Sequence, residues 1–359
     1  MGEKAFVAWV FGRTHWIGVK SMTFVGCCIA FLLLGFGADI FSGSDDNDES
    51  NEHDPVWDDE GGYGGGDTGG GDTGGGDTGG GDTGGGDTGG GDTTDIYGTD
   101  GDDALYGSEI DDVIFGLGGN DLVNGGDGND YVEGGEGDDE LTGGEGGDQL
   151  LGMEGSDTIY GEGGTDTADG GPGNDFVYGD WGDDYVLGGE GDDVVKGGAG
   201  EDTVDGQEGD DQIHGGLGAD TLLGGAGNDI LEGVIIDTPM GPDTDEGDIL
   251  YGAEGDDLLA LGNGDEGTGG EGDDIFRFGT WITGDVPTVT DYVAADDQIV
   301  INYDELVSPA PVLSVSDITD GGNSYTVLNI DGQDVGRILI NDGAPPVTAA
   351  DIALVPSVW

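Results

Sequence analysis

Fifteen aspartates stand nine residues apart without a lapse: Asp103, Asp112, Asp121, Asp130, Asp139, Asp148, Asp157, Asp166, Asp175, Asp184, Asp193, Asp202, Asp211, Asp220 and Asp229. Each is the sixth residue of a unit reading roughly G-G-x-G-N/D-D-x-U-x from Gly98 to Glu232, where U is apolar and the first residue is always Gly. Glycine lets a tight turn take positive φ and gather its carbonyls, and the aspartate adds a carboxylate. Hard oxygen donors brought together in this way suit calcium. The candidate ligands are these aspartates, with Asp257 and Asp274 of two later units. With them stand the carbonyls of Gly125, Gly128, Gly134, Gly137, Gly143, Gly146, Gly188, Gly191, Gly197, Gly200, Gly215, Gly218, Gly224 and Gly227.

Other chemistries find little support. His15, His53 and His214 are scattered, and neither H-E-x-x-H nor G-x-S-x-G occurs. Glycine-rich fingerprints arise trivially from the repeat, without a Rossmann βαβ context. Among 80 acidic residues any single acid and base pair is uninformative. Asp243-Thr244-Asp245 hints at a calcium loop but lacks flanking helices. The chain is expected to be no enzyme.

Composition points the same way. The 359 residues include 85 Gly, and 80 Asp and Glu oppose 6 Lys and Arg, for a net charge of −74. Such a surface disfavours nucleic acid, anionic lipid and acidic polysaccharide and favours cations. So much charge ordinarily means disorder, but strict periodicity indicates a solenoid. Cys27 and Cys28 are adjacent in an apolar run, so no disulfide framework holds the fold.

The elements that must position the aspartates follow from the unit. Its glycine-rich half reads as a turn, and its last three residues, such as Tyr131-Val132-Glu133, read as a very short strand. Two units then make one coil of a solenoid with two parallel sheets back to back. Eighth-position residues such as Val123, Val132, Leu141, Leu150 and Ile159 face inward, and the turns stack along both edges. Roughly ten coils about 4.8 Å apart give a length of about 50 Å. Asp121 would share an ion with Asp139, and Asp130 with Asp148, each ion lying between two coils. Two carboxylates and several carbonyls supply the six or more oxygens that calcium takes at about 2.3–2.6 Å.

One inward apolar residue per nine is too little to offset the entropy of ordering so glycine-rich a chain. Folding is therefore expected to be linked to cation binding. About a dozen Ca2+ ions would bring roughly +24 and leave a large acidic surplus. That surplus, at Glu136, Asp138, Glu145, Glu154, Glu190 and Asp192, reads as solubility and spacing.

Four regions emerge. Residues 1–41 carry Lys4, Arg13 and Lys20 before the apolar run Met22–Ala38, a targeting helix that reads either as a membrane anchor or as a signal peptide cut after Gly37 or Ala38. Residues 42–97 are an acidic, low-complexity linker with six copies of GGGDT over 64–93, expected to be a disordered coil spanning roughly 30 Å. Residues 98–277 form the solenoid. Its register breaks at GVIIDTPMGP (233–242), expected to bulge as a loop or to cover an apolar patch, and resumes through the eight-residue unit LGNGDEGT to Arg277. Residues 278–359 carry TVTDYV, DQIVINY, VLSVSDI, SYTVLNI, VGRILIN and DIALV, six strands of a β-rich cap over the open end.

The units GGDGNDYVE, GGPGNDFVY, GGEGDDVVK and GGAGNDILE closely resemble those of the RTX, or repeats-in-toxin, family over residues 98–277. TVTDYVAADDQIVI (288–301) is similar to a stretch following the repeats in serralysin-type secreted proteins. The resemblance implies an all-β, right-handed parallel β-roll, aspartate and glycine-carbonyl calcium ligands, and export through type I secretion machinery by a C-terminal signal. Met22–Ala38 departs from that route and favours an anchor or Sec-type export. Ile110 in place of the fourth-position glycine, and Ala168 as the inward residue beside Asp166, mark two units expected to bind weakly. The expectation is a bacterial calcium-binding protein, secreted or displayed at the cell surface, that folds outside the cytoplasm. An RTX toxin, or the calcium-binding part of a secreted hydrolase or adhesin, is the rival reading.

Overall fold

The computed structural model describes residues 95–234, 247–305, 308–309, 311–341 and 347–356. The targeting run, the GGGDT linker, Ile235-Ile236 of the expected patch and Asp243-Thr244-Asp245 all lie outside them. Among the described residues there is no α-helix, and no helix long and apolar enough to cross a membrane.

Each eighth-position side chain is wholly buried, from Leu105 and Ile114 through Val123, Val132, Leu141, Leu150 and Ile159 to Leu222 and Leu231. Residues either side of it point outward. This alternation is the period of a β-strand with one face covered, and the chain winds accordingly. Successive strands fall alternately into a 14-stranded and a 12-stranded sheet, making a parallel β-solenoid of about ten turns. Each strand pairs with the strand one coil later: Leu122 faces Glu140, and Tyr131 faces Gln149.

The strands are longer than the three residues expected. Leu122–Asp127 and Tyr131–Glu136 run into the first three positions of the following unit, so the glycine pair lies inside the strand. Pairing lapses at the first glycine and resumes beyond it, as at Gly126 with Gly144. The second glycine allows this by taking positive φ, 111° at Gly126 and 122° at Gly135, bending the strand toward the turn while its amide stays in the ladder.

Register survives the break in the repeat. Asp220 and Asp248 are 28 residues apart yet bonded like Asp202 and Asp220, which are 18 apart. After the eight-residue unit the interval is 17, at Asp257 and Asp274. Gly233 belongs to the solenoid: its amide donates to the Ala260 carbonyl, as Gly107 does to Asn124. The ten inserted residues therefore follow Gly233, one position later than the sequence break suggests.

All six cap strands form. Thr288–Val289, Gln298–Tyr303 and Ile352–Pro356 continue the two sheets in parallel. Leu313–Asp320, Asn323–Ile330 and Gln333–Leu339 add an antiparallel meander that closes the larger sheet. The core widens there around Phe276, Phe278, Ile299, Ile301 and Leu328. Gly336 leaves room for the Phe278 ring, which a β-carbon would meet at 3.0 Å.

Candidate metal centre

Two in every nine residues are held by the neighbouring coil through side chains, and the sixth-position aspartate does most of this. The amide of each donates to Oδ1 of the aspartate one coil later at 2.7–3.0 Å, so the aspartates form two one-way columns along the edges. One column runs Asp103, Asp121, Asp139, Asp157, Asp175, Asp193, Asp211, Asp229, Asp257 and Asp274. The other runs Asp112, Asp130, Asp148, Asp166, Asp184, Asp202 and Asp220. Every aspartate proposed from sequence thus falls in one of two rows, in contact with the residue 18 positions away wherever the repeat is unbroken.

The columns also contain three aspartates that the sequence reading passed over. Asp248 and Asp265 extend the second column, and Asp297 receives the Asp274 amide at 3.3 Å in the first. Each directly precedes a strand, the signal that would have found them: Asp248 stands sixth in DTDEGDILY, and Asp297 ends the acidic run before QIVINY.

Fifth-position residues make a second ladder in the opposite direction. Asn129 Oδ1 accepts from the Gly147 amide, Asp138 Oδ1 from Ser156, and Asp192 Oδ1 from Asp210. Asp138 and Asp192, read from sequence as solubility residues, therefore tie coil to coil. A side chain one carbon from the backbone is needed to reach back across one strand spacing, which accounts for Asn or Asp there.

The second carboxylate oxygen differs. Oδ2 of every column aspartate from Asp121 to Asp211, and of Asp229 and Asp257, is buried with no hydrogen-bond partner. A buried, ionised oxygen left so is costly. Each faces the first glycine of its own unit, where the carbonyl of the next coil also arrives. A β-carbon on Gly125 would lie 2.3 Å from Asp130 Oδ2 and 2.7 Å from the Gly143 carbonyl oxygen, and one on Gly197 would lie 2.4 Å from Asp202 Oδ2 and 2.6 Å from the Gly215 carbonyl. First-position carbonyls, among them those of Gly134, Gly143, Gly188, Gly197, Gly215 and Gly224, thus converge on the orphaned oxygens, while that of Gly125 faces Oδ2 of Asp112. Fourth-position carbonyls, such as those of Gly128, Gly137, Gly146 and Gly191, face the fourth glycine of the following coil instead. Of the two units expected to bind weakly, that of Asp166 keeps both its column bond and its orphaned oxygen, whereas in the Ile110 unit Oδ2 of Asp112 accepts from the Ser108 amide and hydroxyl.

Burial pushes Asp139, Asp166, Asp193, Asp202 and Asp229 up to about 7. It pushes Asp130, Asp157, Asp175, Asp211 and Asp274 up to about 6. The amide on Oδ1 offsets part of the rise, and nearby carboxylates add to it. Among the described residues no three His, Cys, Asp or Glu side chains form a cage, so a cation here must draw on backbone carbonyls. Rows of unsatisfied carboxylate oxygen beside converging carbonyls, with no nitrogen or sulfur donor, fit calcium.

The family model for the RTX calcium-binding nonapeptide repeat matches residues 88–123, 106–141, 142–177, 160–195, 178–213, 206–233 and 244–266. No curated protein matches the chain significantly. Among solved structures, the extracellular lipase LipA from Serratia marcescens is similar at 15% identity with a TM-score of 0.18, covering 74% of this chain and 40% of that one. The chain thus spans less than half the length of that lipase. The repeat matches thus run over residues 88–233 and 244–266, interrupted only where the register itself breaks, and over those residues the chain carries several copies of a unit matching the RTX calcium-binding nonapeptide repeat.

Proposed function

We propose that this chain is a non-catalytic calcium-binding protein whose roll, right-handed as in its family, folds when calcium fills the two edges outside the cytoplasm. The observation that carries the reading is the pair of aspartate columns, in which each carboxylate from Asp121 to Asp211 has one oxygen used by the backbone and the other buried and unsatisfied. Calcium would be held by these Oδ2 atoms and by glycine carbonyls, supplying positive charge where the fold places none. Among the described residues cations are few, and one of them serves the protein itself: Arg277 contacts Glu232 at 3.1 Å, as the His214 ring also does. In this reading residues 22–38 bring the chain to the membrane, residues 42–97 space the roll from it, and residues 278–359 cap the roll.

Low cytosolic calcium keeps the chain expanded before export. The millimolar range typical of extracellular modules then drives folding. Circular dichroism of the full chain during a calcium titration tests this: β signal should rise cooperatively by about millimolar calcium and vanish on chelation. A spectrum indifferent to calcium would sink the proposal.

A further inference from the structure

The two columns do not end on bare carboxylates. At the start of one, Oδ2 of Asp103 accepts from the Thr99 amide at 2.6 Å and from the Thr99 hydroxyl at 2.9 Å. At the start of the other, Oδ2 of Asp112 accepts from the Ser108 amide at 2.6 Å and the Ser108 hydroxyl at 3.0 Å. At the far ends, Oδ2 of Asp265 accepts from the Gly262 amide, and Oδ2 of Asp297 from the Val293 amide, both at 2.6 Å. These are the oxygens that stay unsatisfied in the interior, from Asp121 to Asp211.

The cause at the first two ends is local. Thr99 and Ser108 stand second in their units, where Leu117, Gly126 and Gly135 stand in the three units that follow. A hydroxyl-bearing residue there closes a short turn onto its own aspartate, four positions on, with two donors. Two donor hydrogens already aimed at one oxygen present their positive charge to any approaching cation. The terminal carboxylate is thereby satisfied and its cation-facing side is taken.

We infer that Asp103, Asp112, Asp265 and Asp297 close the ion columns. Donors of this chain stand there in place of cations, so calcium is confined to the coils between them and the end coils are held by hydrogen bonds. The inference rests on the calcium reading above and assigns two of its sequence-derived ligands, Asp103 and Asp112, to closure.

Native mass spectrometry of the full chain in calcium counts bound ions and tests it. The double variant Asp103→Asn with Asp112→Asn should carry the same number of ions as the wild type, whereas Asp157→Asn with Asp166→Asn should carry fewer. Equal losses in the two variants would overturn the closure while leaving calcium binding intact. A wild type that takes up no calcium would instead overturn the reading beneath it. Should the interior double variant not fold, the single variants Asp157→Asn and Asp112→Asn are compared in its place: the first should carry fewer ions than the wild type and the second the same number. Equal losses in those two single variants would also overturn the closure.

Discussion

The backbone amide of Asp139 donates to Oδ1 of Asp157 in the next coil at 2.8 Å, while Oδ2 of Asp157 is buried beside Gly152 with no hydrogen-bond partner. One carboxylate therefore does two separable jobs, joining coils through one oxygen and presenting the other to a cation. Asp157→Asn keeps an amide oxygen for Asp139 but loses the charge, whereas Asp157→Ala also leaves the Asp139 amide without an acceptor. Both should raise the calcium concentration needed for folding. In saturating calcium the alanine variant should be less stable than the asparagine variant by about 1–3 kcal/mol, the cost of a buried, unmet donor. Denaturant titrations of the two variants check this, and equal stabilities would contradict it.

Protons and calcium should compete for the same oxygens. Asp139, Asp166, Asp193, Asp202 and Asp229 are raised to about 7 in the fold by burial, against about 3.9 in an unfolded chain. Because the folded values lie above the unfolded ones, the calcium-free fold binds more protons than the unfolded chain. The stability this contributes is complete below about pH 4 and is lost as pH rises through about 6 to 7. In chelator, β signal should therefore appear on acidification toward about pH 4 and fade by about pH 8, while calcium should preserve it at the upper end. Apparent calcium affinity should fall between about pH 8 and pH 5, with protons released on binding. Circular dichroism over this range checks both, and a calcium-free chain equally unfolded at every pH would count against the argument.

The second position of the unit gives a prediction of opposite sign. Met153, Glu162, Asp180 and Gln207 hold left-handed φ of 68–77°, where glycine normally stands. Such residues cost about 1–2 kcal/mol in that conformation, part of which glycine's freedom in the unfolded chain returns. Met153 is exposed and loses little packing, so Met153→Gly should stabilise the calcium-loaded roll by about 1 kcal/mol. The converse, Gly144→Ala, should prevent folding of its coil. Its φ is 122°, and the added carbon would lie 1.8 Å from the Gly126 carbonyl oxygen. Thermal melts in calcium distinguish the two directions.

Much of this was legible because the period is strict. The inward row from Leu105 to Leu231, the pairing of residues 18 apart and the six cap strands all follow from positions that repeat or alternate. What escaped was information carried by bonding direction. An aspartate at the fifth position and one at the sixth look alike in sequence, yet Asp138 accepts from Ser156 while Asp139 donates to Asp157. Asp265 and Asp297 escaped for another reason: they sit in units of altered length, where counting by nine fails and only the strand that follows marks them.

The break in the repeat tests how far register alone governs the fold. Asp220 donates to Asp248 at 2.9 Å across 28 residues, ten more than the regular interval, and Gly233 already holds the first position of the interrupted unit. Removing Val234 to Asp243 should therefore leave Asp248 in its column, and the shorter connection should alter stability by no more than about 1 kcal/mol. Removing one residue more, through Thr244, should throw Asp248 and the following strand out of phase and turn Leu250 away from the core. Calcium titrations followed by circular dichroism should give the first deletion a midpoint close to that of the full chain and the second a clearly higher one. Equal behaviour of the two would mean that the coils find their register by some means other than the spacing of their aspartates.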